Sequence, residues 1–174
     1  FMKVLAQSNG LMATFMAKWS TECPGQSGHI HISLRNRDGS GSAFYDPNKQ
    51  HCMSKIQRHF LAGQQRLMPE FLCMIAPTIN SYTRLIPGFW APTDATWGVE
   101  NRTTALRVIP GSEKSQRVEY RLGSADGNPY ITLAAALASG LYGIMNEWEP
   151  EEQVKGNSYD QEHPDYLKLP TTLW

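Results

Sequence analysis

Between Asn101 and Tyr130 apolar and polar residues alternate with a period of two, in two successive runs. Thr103–Ile109 and Gln116–Leu122 each read as a strand, and Pro110, Gly111 and Ser112 supply the turn between them. Alternation puts Arg107 on one face with Thr103, Ala105 and Ile109. In the second strand Arg117, Glu119 and Arg121 share a face, and Val118, Tyr120 and Leu122 form the other. His29–Leu34 alternates in the same way, with His29, His31 and Ser33 opposite Ile30, Ile32 and Leu34. Leu11–Trp19 is mostly apolar and is predicted as a further strand.

Helical segments are read in four places. Phe1–Asn9 ends at Gly10, and Ser54 can cap a helix over Lys55–Met68 with Ile56, Phe60, Leu61 and Leu67 near one face. Pro69 and Pro77 are expected to confine the next helical segment to Glu70–Ala76. Asn128 as cap and Pro129 as first residue open a helix that runs to about Glu149. Its stripe of Leu133, Leu137, Leu141, Ile144 and Trp148 is predicted to pack into the core. Asn36–Asn48 and Asn80–Pro92 read as loops, and Glu149–Asp165 as a surface excursion. The pattern predicts an α+β fold, an antiparallel twisted sheet backed by helices.

At 174 residues the chain can bury a real core. With 16 basic and 16 acidic residues, nothing in its bulk charge points to nucleic acid or to an anionic membrane. The positive charge is local: Asn101–Arg121 holds four Arg and one Lys against two Glu, which suits a small anionic ligand. Cys23, Cys52 and Cys73 have no CxxC spacing, so reduced thiols and a cytoplasmic location are expected. No run of eighteen apolar residues occurs. The opening FMKVLAQ reads as a helix already under way and LPTTLW stops where another might begin. Part of a longer chain is therefore expected.

Arg-x-Glu-x-Arg on one strand places a lone carboxylate among guanidinium groups. Such a set suits a divalent metal with phosphate oxygens, since carboxylate is a hard ligand and Arg forks bind phosphate. A salt-bridged solvent face accounts for the same pattern. His29 and His31, two apart on a strand, can reach one ligand or serve as ordinary polar residues. Gly25 and Gly28 allow close approach of backbone to a ligand, or simply a turn. There is no P-loop, dinucleotide-binding or hydrolase-elbow motif.

Four segments, GQSGHIHISL, NSYTRLIPG, GVENRTTALRVIPGSEKSQRVEYRLG and ADGNPYITLAAALASGLYGI, together resemble the glutamine synthetases and their γ-glutamyl-amine ligase relatives. They stand in family order over essentially residues 1–174, and correspond to the later part of the catalytic domain. The WGVENRTTALRVI segment is most similar to the branch holding γ-glutamylpolyamine synthetases and lengsin. The resemblance implies part of a twisted half-barrel, with His29 and Glu119 as metal ligands for Mg²⁺ or Mn²⁺. It implies a substrate and nucleotide channel lined by His31 and Ser33, Arg84 on the glutamate carboxylate, and Arg102 and Arg107 on phosphate. Lys114 and Arg117 fall along the nucleotide channel, and Gly25 and Arg121 at the substrate end. ATP, glutamate and an amine are the implied small-molecule substrates, and a ring-like homo-oligomer the implied assembly.

Two positions depart from the family pattern. Trp90, in PGFW, stands where the family usually has a glutamate that helps deprotonate ammonium. Pro24 replaces an asparagine before the glycine of the histidine strand. The missing glutamate counts against ammonia as co-substrate, and Pro24 loses a side-chain contact to the substrate amino acid. The expected activity is a ligase joining the γ-carboxylate of glutamate to ammonia or, in preference, a larger amine through γ-glutamyl phosphate. The alternative is a non-catalytic, lengsin-like structural member. No cluster of three glutamates for a second metal occurs in these residues.

Overall fold

The computed structural model describes residues 1–174. Four helices, α1 (Met2–Ser8), α2 (Lys55–Ile75), α3 (Ile79–Tyr82) and α4 (Pro129–Met145), accompany four short strands. The strands are β1 (Ile30–Ile32), β2 (Trp97–Val99), β3 (Leu106–Ile109) and β4 (Arg117–Tyr120), in the spatial order β1-β4-β3-β2. The fold is α+β and the sheet is open.

The sheet is mixed, not wholly antiparallel. β4 pairs antiparallel with β1 and with β3, whereas β2 runs parallel to β3. Residues 100–105 manage this parallel return because the strands are only three and four residues long. Asn101 stiffens the return: its side chain accepts from the Thr103 amide and donates to Gly156 O. The free edge of β2 is covered by the segment after α4, where Val154 N donates to Trp97 O and Trp97 Nε1 to Glu151 O. The Glu149–Asp165 segment is mostly exposed, as a surface excursion should be, but Val154 and Ser158 are buried where it covers this edge.

Lys55–Ile75 is one helix that continues through Pro69, against the expected break. Proline removes one intrahelical N–H, but Gln57, Leu61, Gln64, Met68, Leu72 and Ile75 form an unbroken buried row across it. Packing of the turns beyond Pro69 outweighs the lost bond. Ser54 caps the helix by accepting from Gln57 N. The predicted strand Leu11–Trp19 does not form. No neighbouring strand offers it a ladder; the Asn80 side chain alone takes both hydrogen bonds of Lys18's backbone.

α4 inverts the expectation drawn from its leucines. Leu133, Leu137 and Leu141 are exposed, and the helix ends at Met145, before Trp148. Its buried face is Thr132, Ala135, Ala136, Ser139, Gly140 and Gly143, set against α2. Small residues win here because the two helix backbones touch. A Cβ on Gly63 would lie 2.1 Å from Ser139 O and 2.7 Å from Gly143 Cα. The 23-residue core lies between this helix pair and the sheet, with Tyr120, Phe44, Phe60, Leu106 and Leu122 fully enclosed. No helix is long and apolar enough to cross a membrane.

Candidate functional site

Register decides which charged side chains meet. His31 on β1 and Arg107 on β3 both pair directly with Glu119 on β4, so all three stand in one row on one face. Gly98 ends the row on β2 and leaves that face open beside Arg107. Glu119 Oε2 accepts from Arg107 Nη1 at 3.1 Å, and Oε1 accepts from Arg121 Nη1 at 3.1 Å. His29 Nδ1 lies 2.9 Å from Glu119 Oε1, and His31 Nε2 lies 3.7 Å from it. Arg117 Nε donates to His31 Nδ1, and Arg121 Nη2 to Arg102 O.

The protonation states follow from these neighbours. Burial by itself would raise the Glu119 pKa, but the Arg121 charge, the Arg107 hydrogen bond and His29 outweigh it and hold the carboxyl below its ordinary range. Burial lowers the His29 pKa, and the charges of Arg121 and Arg84 add to that against the pull of Glu119. An ionised carboxylate beside a neutral imidazole is the form in which both groups bind a metal. His29 keeps its Nε2 lone pair, with Ser27 Oγ at 3.1 Å. The donor set therefore fits a divalent cation in part. No group of three or more His, Cys, Asp or Glu gathers to complete it.

Arg84 follows α3, whose capping box is built by Thr78 and Ser81. It is nearly buried, and Nη2 donates to Leu122 O at 2.8 Å, just beyond β4. Burial lowers its pKa to about 10, with Asp126 the charge that opposes the shift. Gly25 is needed for this placement, because a Cβ there would meet Arg84 Cγ at 2.6 Å and Ala17 O at 2.5 Å. The close approach at Gly25 is thus to Arg84 and to backbone.

Other predicted positions stand further out. Ser33 and Lys114 are exposed and make no side-chain hydrogen bond or ion pair. Trp90 is 72% exposed at the end of the Pro87–Trp90 turn, with φ 59°. Arg102 is exposed and borders an open cleft with Glu100, Arg107 and Lys155.

Three contributors escaped the sequence pattern. Glu100 grips the outer edge of Arg107, accepting from Nε at 3.0 Å and also from Nη2. Asp126 accepts from Thr78, Ser81 and Ser124 and ties α3 to the turn before α4. Lys18 is buried with its ammonium 3.9 Å from the Phe89 ring centre. Glu100 lies inside a quoted segment, but only the parallel β2–β3 pairing brings it to Arg107. Asp126 also lies inside one of the four family-like segments, and nothing local marks Lys18.

A family model described as "Glutamine synthetase, catalytic domain" matches residues 1–174. The chain is 48% identical over 159 residues to Type-1 glutamine synthetase 2 of Dictyostelium discoideum, covering 91% of this chain and 30% of that protein. It is 42% identical to Glutamate–isopropylamine ligase of a Pseudomonas species, covering 90% of this chain and 34% of that one. It is also 42% identical to the gamma-glutamylputrescine synthetase of Escherichia coli, covering 92% and 33%. The chain thus spans about a third of the length of these curated relatives. The ordered motifs, the sheet that joins them and the match over all 174 residues make this chain a member of the glutamine synthetase catalytic-domain family.

Proposed function

We propose that the protein is an ATP-dependent ligase that joins the γ-carboxylate of glutamate to an amine larger than ammonia, through γ-glutamyl phosphate. The observation that carries this reading is Glu119, which bridges His29, just before β1, to Arg107 on β3. Such a face sets a hard-cation ligand pair next to phosphate-binding guanidinium groups. When bound, Mg²⁺ or Mn²⁺ offsets phosphoryl charge as a Lewis acid. Arg107, Arg102 and Arg121 set fixed positive charge where phosphoryl oxygens pass, stabilisation that needs no reorganisation during reaction. Arg84 orients the glutamate carboxylate, and His31, Ser33, Lys114 and Arg117 border the nucleotide. The same reading implies a ring-like homo-oligomer.

Trp90 supports the larger amine. Ammonium is small and strongly hydrated, and a site for it needs an anion to hold the cation and accept its proton. An indole is a donor only. Its broad face packs on methylenes and attracts an alkylammonium by cation–π contact, worth ~0.5–2 kcal/mol. Its ring is 72% exposed, which leaves that face available for such a contact. The relatives include ligases named for isopropylamine, ethanolamide and putrescine as well as several glutamine synthetases. The test is phosphate release by the intact protein with glutamate, ATP and a panel of amines. Faster turnover with alkyl or aryl amines than with ammonia is expected. Ammonia matching or exceeding every amine refutes the substrate class, and no release with any amine refutes the ligase reading in favour of a structural one.

A further inference from the structure

Arg107 is held from two sides by two carboxylates of different standing. Its inner nitrogen, Nη1, donates to Glu119, whose side chain is 5% exposed and fixed by two further partners. Its outer edge, Nε and Nη2, donates to Glu100, whose side chain is 48% exposed. That outer edge is the face of a guanidinium that takes a phosphate or carboxylate in fork geometry. It opens on the cleft bordered by Arg102 and Lys155.

We propose that Glu100 is a specificity-determining placeholder: it occupies the outer edge of Arg107 until a phosphoryl group displaces it. This rests on the reading of Arg107 as a phosphate-binding arginine. The backbone makes the exchange local. Glu100 N donates to Val108 O at 2.9 Å, and Asn101 pins the next residue to Gly156 O at 2.8 Å. The carboxylate can therefore swing into solvent while the main chain stays in place. Glu119 keeps its hold on Nη1 meanwhile, so Arg107 stays aimed as its outer edge changes partner. The resident carboxylate carries one charge and competes from within the chain, at high effective concentration. A small monoanion brings no greater charge and does not win. A phosphoryl group brings up to two charges and three acceptor oxygens, and does.

Glu100 also sits at φ 50°, a conformation that glycine adopts without strain. Glu100→Gly therefore removes the carboxylate without adding backbone strain, and Glu100→Gln removes only the charge. Calorimetric titration of the intact protein with Mg·ADP, and separately with inorganic phosphate, should show both variants binding roughly tenfold tighter than wild type, the loss of one charge-assisted contact to be broken. Acetate should compete with phosphate in the variants and not in wild type. Unchanged or weaker binding in both variants overturns the proposal, as does failure of either probe to bind any of the three proteins. Tighter binding in variants of a protein that makes no amide with any amine sinks the ligase reading and leaves the placeholder standing.

Discussion

Replacing Gly143 by alanine tests the claim that α2 and α4 meet backbone to backbone. A Cβ there would lie 2.2 Å from His59 O and 2.6 Å from both Cα and N of Gly63, against the 3.4 Å or more of ordinary contact. All three obstacles are main chain inside a 21-residue helix, so none can rotate away. Relief requires the helices to part by roughly 1 Å, an overpacking that costs about 1–3 kcal/mol. Parting also stretches the buried bond from Gln64 Nε2 to Ala136 O, worth about 1 kcal/mol. Against this, alanine in a helix is favoured over glycine by about 1 kcal/mol. The expected net loss is about 2 kcal/mol, read as a lower urea midpoint at unchanged slope. Ala138→Gly, on the exposed side of α4, isolates propensity and should lose about 0.5–1 kcal/mol. A Gly143→Ala protein as stable as wild type or more so would show that the helices have room, and the packing argument would fall.

Arg84→Lys should raise the KM for glutamate by roughly tenfold or more, because a point charge replaces a fork, while Mg·ADP affinity stays within about twofold; equal loss of both means Arg84 serves another ligand. Asp126→Asn should loosen the 78–85 segment in hydrogen exchange at neutral pH. Burial alone would raise the Asp126 pKa, but hydrogen bonds from Ser124, Thr78 and Ser81 prevail and depress it. Its contribution is therefore complete above the unfolded value of about 4 and is lost as pH falls through the folded value. The difference between wild type and variant should narrow as pH falls below about 4; a difference that does not narrow with acidification contradicts it. Glu119→Gln should abolish tight Mn²⁺ binding by electron spin resonance and destabilise the fold by about 3 kcal/mol, since Arg121 keeps no carboxylate partner. Retained binding would remove Glu119 from the metal site.

Features that depend on neighbours along the chain were legible before any contact was known. Period-two alternation gave the face shared by Arg117, Glu119 and Arg121 and the face shared by His29 and His31. Caps marked the starts of α2 at Ser54 and α4 at Asn128. Family order in four segments identified the fold without any contact being known.

What joins distant segments was decided only in three dimensions. Alternation says that Glu119 faces one way, but the β1–β4–β3 register brings His31 and Arg107 to its two sides. The parallel course of β2 delivers Glu100 to Arg107, and that direction is set by the tertiary path of residues 100–105. The apolar moment of α4 pointed its leucines inward, because hydrophobicity ranks residues by transfer from water and takes no account of how near a neighbour can come. Where two helix backbones touch, glycine, alanine and serine are the residues that fit, and the larger side chains are left on the outer face.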